Sequence, residues 1–151
     1  MHKAEAHATR ELRAWISARH YLRSVPPGQI FILDFTIARA RSGAMLWGRP
    51  TSRTLDPART LQLHRMVFLE EAPKLTESHA LAMARRFIRV HHPRVNLLIT
   101  YCDPAEAHHG TIFLADGWAY LGHTRKHNSY GWRRAKPTGP IPPKTRWIRT
   151  P

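Results

Sequence analysis

Leu97 to Arg125 reads LLITYCDPAEAHHGTIFLADGWAYLGHTR, and this stretch decides the fold. It begins with the apolar run Leu97-Leu98-Ile99, short enough for a buried strand and set between Pro93 and Pro104. Asp103-Pro104 then breaks the chain. A residue before proline is pushed out of helical geometry, whereas proline itself suits a first helical turn. Glu106 to Asp116 is a predicted short helix closed by Gly117, and Trp118 to Thr124 is a predicted strand. Such a strand, helix and strand place polar groups in a crevice, where open α/β sheets bind ligands. Asp103, His108 and His109 fall at its mouth.

Upstream, Ala4 to Arg19 has Leu12, Trp15 and Ile16 at spacings that share one helical face. His20 and Tyr21, as packing residues at the helix end or as site residues, precede a firm turn at Pro26-Pro27-Gly28. Gln29 to Ile37 is rich in β-branched and aromatic residues, as a strand is, and Ala44 to Gly48 pairs back after a turn over Arg39 to Gly43. Thr60 to Leu69 alternates, then becomes wholly apolar from Met66, as a central strand covered on both faces does. Arg65 within it needs an anionic partner, either Asp103 on a neighbouring strand or a ligand phosphate or carboxylate. Thr76 as N-cap and Glu77 in the first turn start a helix that reaches about Val90, with Leu81, Ala84 and Ile88 as its core stripe. Lys74, Thr76 and Ser78 surround that helix N-terminus, where unpaired N–H groups and the dipole favour an anion.

Past Arg125 regularity drops: Pro137, Gly139, Pro140, Pro142 and Pro143 make an extended linker, and Thr145 to Ile148 returns as a short edge strand. The predicted element order gives an α/β (α+β) three-layer domain with a mixed sheet. Residues 1–125 are expected to form the main domain, and 126–151 a basic, proline-rich extension that packs on it or completes it.

The chain holds 24 Lys and Arg against 10 Asp and Glu, a net charge of +14. Arg125 to Pro151 carries basic residues and no acid, a field that attracts a polyanion. Arg125, Lys126, Tyr130, Trp132, Arg133, Arg134, Lys144 and Arg146 are the candidate nucleic-acid contacts, the aromatics among them suited to stacking on bases. The single cysteine, Cys102, rules out an intramolecular disulfide and suits a reducing compartment. With no apolar leader and no run long enough to span a membrane, a cytoplasmic protein is expected.

Several chemistries are excluded. There is no G-x-x-x-x-G-K-[ST], no G-x-G-x-x-G after a strand and no G-x-S-x-G elbow. The pairs His91-His92 and His108-His109 point apart as chain neighbours, so no metal site is assigned, and a mononuclear site of His108 or His109 with Asp103 stays open. A carboxylate beside Cys102 would raise its pKa, which disfavours a thiolate nucleophile. Acyl transfer needs only a cleft, an anion grip and one acid/base, and Arg65, the Ser78 helix end and Asp103 could supply them.

The segments TYCDP, HHGTIFLADGW and AYLG resemble the last part of a GNAT acyltransferase core. The closer resemblance is to the Mom proteins, phage DNA-modification enzymes with a GNAT-like fold. Its motifs run in order: His20-Tyr21, Leu46 to Pro50 (LWGRP), His64-Arg65-Met66, Pro73-Lys74 with Ser78, Asp103-Pro104, His109 to Ile112, Trp118 to Gly122, and Pro143 to Trp147. The resemblance implies a GNAT-like three-layer α/β/α domain with a mainly antiparallel central sheet. It also implies transfer of a carbamoylmethyl-like group to the N6 amino group of adenine in DNA, which protects DNA from restriction. His20, Tyr21, Arg65, Ser78 and Asp103 match the family's functional positions, with Asp103, Arg65, Tyr21 and His20 as catalytic candidates. Phe113 stands where the family usually has tyrosine; if that tyrosine is a general acid, another group such as Tyr101 or His109 carries the proton here, or the chemistry is altered. PKLTES lacks the repeated glycines of a pyrophosphate loop, which leaves the donor open between acetyl-coenzyme A and another activated acyl group. An iron requirement also stays open. A GNAT-type acyltransferase acting on tRNA, protein or a small amine, and a non-catalytic nucleic-acid-binding protein, are the alternatives. An extruded base would leave a gap for Trp118, Tyr130 or Trp132 to fill.

Overall fold

The computed structural model describes residues 2–7, 9–104, 110–124 and 143–151. Strand β1 (His2–His7) and helix α1 (Arg10–Arg19) lead into β2 (Gln29–Ile37), β3 (Ala40–Gly48) and β4 (Thr60–Phe68). Helix α2 (Thr76–His91), β5 (Leu97–Cys102), α3 (Thr111–Ala115), β6 (Ala119–His123) and β7 (Thr145–Arg149) follow. The strands form one sheet in the order β1-β2-β3-β4-β5-β7-β6. Only β4 and β5 run parallel, joined through α2, so the sheet is mixed and mainly antiparallel, as expected.

Two apolar clusters cover its faces. Phe31, Leu33, Phe35, Met45, Trp47, Leu61 and Leu63 meet Leu81, Ala84 and Ile88 of α2 and Phe113 of α3. On the opposite face Ile32, Ala44, Leu46 and Val67 pack on Leu12 and Ile16 of α1. The period-2 alternation of the strands sorts these residues between two helical layers. Each fully buried Leu or Ile stabilises the fold by about 1.5–3 kcal/mol before entropy is counted.

Four local expectations are corrected. The first helix begins at Arg10, not Ala4, because the Thr9 side chain caps it by accepting from Leu12 N–H at 3.2 Å. His2–His7 pairs instead with β2 as an edge strand. The β2–β3 turn is shorter than predicted, since Ala38 (φ 49°) and Arg39 (φ 68°) make it in two residues. Thr76 is the first helical residue rather than the N-cap, which is Leu75 in the left-handed region, and the Thr76 hydroxyl donates to Pro73 O at 2.6 Å. Finally, Thr145–Arg149 is not an edge strand: it inserts between β5 and β6. Within the predicted Glu106–Asp116 helix, Thr111–Ala115 is helical and residues 106–109 lie outside the described residues.

One irregularity sets up the site. Trp47 pairs with Leu63 but its neighbour Leu46 pairs with Arg65, so His64 is an extra residue, a β-bulge on β4. Leu61 and Leu63 face α2, and the bulge turns Arg65 to the α1 face opposite Leu46. The β4–β5 ladder runs only from Thr60↔Leu97 to Leu63↔Thr100. Where the bulge begins, pairing stops, and the sheet opens at the C-terminal ends of its two parallel strands.

Candidate active site

A cleft of about 1590 Å³ fills the opening between β4 and β5. His20, Tyr21 and Ser24 line it from the loop after α1, Arg65 and Met66 from β4, and Tyr101, Cys102 and Asp103 from the end of β5. Glu77 and Phe113 line it on the α2 face, and Lys144 and Arg146 on the β7 side. The four catalytic candidates are thus brought together from segments more than 80 positions apart in the chain.

Arg65 is 9% exposed. Its Nε donates to Ser24 O at 3.0 Å and its Nη1 to His64 O at 2.7 Å, which ties the loop after α1 to the bulged strand. Those bonds hold His20 and Tyr21 over the cleft, with ring centroids 4.4 Å apart. Nδ1 of His20 accepts from Leu22 N–H at 3.2 Å. With Nδ1 accepting, the ring proton of a neutral His20 sits on Nε2. Asp103, also 9% exposed, follows β5 on the cleft wall.

Burial pushes the Cys102 thiol up to about 11, with Thr145 and Lys144 opposing. The sequence attributed a raised thiol to the neighbouring carboxylate; desolvation is the cause. Tyr101 is raised by burial against the opposing charge of Arg146, and it keeps its hydroxyl proton at neutral pH. Arg146 pairs across the ladder with Tyr101, so both side chains stand on the same face. Phe113 is a core residue 5.3 Å from the Trp118 ring and 6.4 Å from the Trp147 ring. Tyr101 lines the same cleft but stands on the opposite face of the sheet from Phe113, beside Arg146.

Lys74 is exposed, Ser78 half-buried and Thr76 buried with its hydroxyl on Pro73, and none of the three lines the cleft. Arg125, Lys126, Tyr130, Trp132, Arg133 and Arg134 lie outside the described residues, as do His108 and His109. Trp118 cannot replace an extruded base: it is buried in the core and its Nε1 donates to Asp116 at 2.9 Å. Sequence reasoning missed Thr51, Ser52 and Thr54, which line the cleft from the β3–β4 loop. Buried Gln62 holds that loop, its Oε1 accepting from Thr51 N–H at 2.9 Å. A buried glutamine on a central strand was the available signal. No described helix is long and apolar enough to cross a membrane.

A model of the Mom protein family matches residues 4–136. No curated protein matches the sequence. Among solved structures, spermidine/spermine N-acetyltransferase SpeG from Vibrio cholerae is 8% identical, with a TM-score of 0.66 over 99% of this chain and 92% of that one. A GNAT family acetyltransferase from Elizabethkingia anophelis with acetyl-CoA bound is 7% identical, with a TM-score of 0.63 over 99% and 97%. An acetyltransferase from Thermus thermophilus is 17% identical, with a TM-score of 0.52 over 83% of this chain, which spans 66% of that chain's length. At these identities the likeness is one of fold: the chain has the GNAT architecture.

Proposed function

We propose a function from one premise: the chain belongs to the Mom protein family. It is a GNAT-like transferase that modifies the N6 amino group of adenine in DNA with an acyl-derived, carbamoylmethyl-like group. The observation that carries this reading is the gap between β4 and β5, where Asp103, Arg65, His20 and Tyr21 share one cleft.

The cleft reaches both faces of the sheet, so donor and acceptor can approach from opposite sides. An activated acyl donor, the class bound as acetyl-CoA in the Elizabethkingia protein, would deliver an N6-acyl group, whereas a carbamoylmethyl group needs a donor whose methylene carbon carries the leaving group. Arg65 on the cleft wall grips the donor's anionic part. Lys74, Thr76 and Ser78 at the end of α2 stand outside the lining and could reach only a part of the donor that extends beyond it, with the Thr76 hydroxyl already on Pro73 and Glu77 on the cleft wall. That fit favours a donor less dependent on a pyrophosphate cradle than coenzyme A. The adenine, flipped from the duplex, presents its amine to Asp103. As the N–C bond forms, Asp103 takes the amine proton and the donor's leaving group departs, protonated by Tyr101 or solvent. Residues 126–151, with Arg125, Lys126, Tyr130, Trp132, Arg133, Arg134, Lys144 and Arg146, hold the DNA in a cell's cytoplasm, and residues 1–125, completed by β7, supply the catalytic domain.

Nucleoside mass spectrometry of DNA from cells expressing the protein tests this. A modified deoxyadenosine is expected with the native chain and not with Asp103→Asn. Unmodified DNA from both would refute it, and turnover of a non-DNA amine with acetyl-CoA would favour a general acyltransferase.

A further inference from the structure

We infer that the nucleic acid is gripped on two banks of the cleft mouth at its α1 face, and that Arg23, Arg49 and Arg53 form the second bank. This rests on the DNA-modifying reading above, of which it names a contact surface. One bank is already given by Lys144 and Arg146, which line the cleft on its β7 side. The opposite bank is built by two loops: residues 20–28 contribute Ser24, Pro26 and Pro27 to the lining, and the β3–β4 loop contributes Thr51, Ser52 and Thr54.

These loops are fastened to each other and to the bulge. Arg49 N–H donates to Gly28 O at 3.1 Å, and Nε2 of His64 contacts Arg49 O at 2.8 Å. Arg65 binds the Ser24 carbonyl. The loops thus carry Arg23, Arg49 and Arg53 on a fixed base at the rim, outside the lining itself, with the Arg23 guanidinium also donating to Ala18 O. Arg23, Arg49 and Arg53 are exposed, and none has an acidic partner among the described residues. Of the nearby acids, Asp56 faces Arg59 at 4.0 Å and Glu11 faces Arg41 at 3.5 Å.

The other mouth is of mixed charge: Glu77 lines it, and Glu70, Glu71 and Lys74 sit in the loop leading to α2. A long polyanion is therefore drawn more strongly to the α1 face. With cations on both sides of a cleft, phosphates on either side of an extruded nucleotide can be held at once.

The test is fluorescence anisotropy of a DNA duplex over a salt series, using the full chain and two triple variants. Arg23→Gln/Arg49→Gln/Arg53→Gln removes the proposed bank. Arg86→Gln/Arg89→Gln/Arg94→Gln removes exposed charge from the second half of α2 and the loop beyond it, roughly 15 Å or more along the helix from its cleft end. The first should weaken binding at least about tenfold and lower the slope of log K against log salt by about 3, one per phosphate contact. The second should stay within about twofold of the native chain, and melting curves should show both folded. Binding by the first variant within about twofold of native, or equal losses in both, would overturn the inference. If the first variant fails to fold, Arg49→Gln/Arg53→Gln, confined to one loop, should lower the slope by about 2. Loss of binding at the bank without any modified adenosine in DNA would sink the functional reading and leave this surface standing. Modification that persists while the bank proves inert would do the reverse.

Discussion

Gly110→Ala should destabilise the protein far more than Gly122→Ala, although both glycines have nearly the same backbone. Gly110 sits at φ 75° and Gly122 at φ 78°, in the left-handed region where a Cβ costs about 1–2 kcal/mol. Their surroundings differ. A Cβ on Gly122 meets nothing within 4 Å among the described residues. A Cβ on Gly110 would stand 2.2 Å from Cζ2 of Trp147, 2.5 Å from Cε2 and 2.8 Å from Nε1. That ring cannot swing away easily. Trp147 is buried on the central β7, packs within 6.4 Å of Phe113 and 5.3 Å of Tyr120, and donates from Nε1 to Thr145 at 3.1 Å. Forcing it aside adds an overpacking term of about 1–3 kcal/mol. Gly122→Ala should therefore cost about 1–2 kcal/mol and Gly110→Ala about 2–5 kcal/mol. For a chain of this size that is a fall in Tm of about 3 °C per kcal/mol. Urea denaturation of the two variants measures the gap directly. Equal losses would refute the reasoning, because they would mean that the ring yields and only backbone strain counts.

Two other predictions follow from buried groups. Arg85 makes a bidentate pair with Asp116 at 2.9 and 2.8 Å, fastening α2 to the end of α3. Arg85→Met leaves that buried carboxylate with the Trp118 N–H, at a cost of about 3–5 kcal/mol, whereas Arg85→Met/Asp116→Leu should recover more than half of it in denaturant titrations. No recovery would mean that packing, not the stranded charge, carries the loss. Cys102 binds its proton more tightly in the folded chain, its pKa rising from 9.0 to about 11. Its contribution is therefore whole below pH 9.0 and is lost as the pH rises to about 11, on the order of 3 kcal/mol. Unfolding free energies of the native chain and Cys102→Ala, compared from about pH 8 upward, should converge across that window, and parallel curves would exclude the effect.

Much of the fold was legible in local sequence. Gln29 to Ile37 carries the β-branched and aromatic residues of a strand, and Thr76 to His91 keeps Leu81, Ala84 and Ile88 on one stripe. Pro26-Pro27-Gly28, Arg49-Pro50 and Asp103-Pro104 punctuate these elements where backbone geometry requires a break. The order of motifs announced the family and the GNAT-like sheet, and the Asp103 neighbourhood was recognisable as a cleft wall.

What lay beyond reach depends on neighbours across the sheet. His2–His7 is short and polar, with nothing local to favour a strand, and acquires one by pairing with β2. Thr145–Arg149 looks like an edge segment until β5 and β6 take its two sides. Most of all, no local signal says that His64 is an extra residue. Alternation alone puts Arg65 on the same face as Leu61 and Leu63, and the β3 register turns it to the other. By itself the sequence determined which residues are chemically able to act, because side-chain type and propensity are local properties. The tertiary structure alone decided that the bulge parts β4 from β5 and brings His20, Tyr21, Arg65 and Asp103 around one cleft, because register and pairing belong to several strands at once.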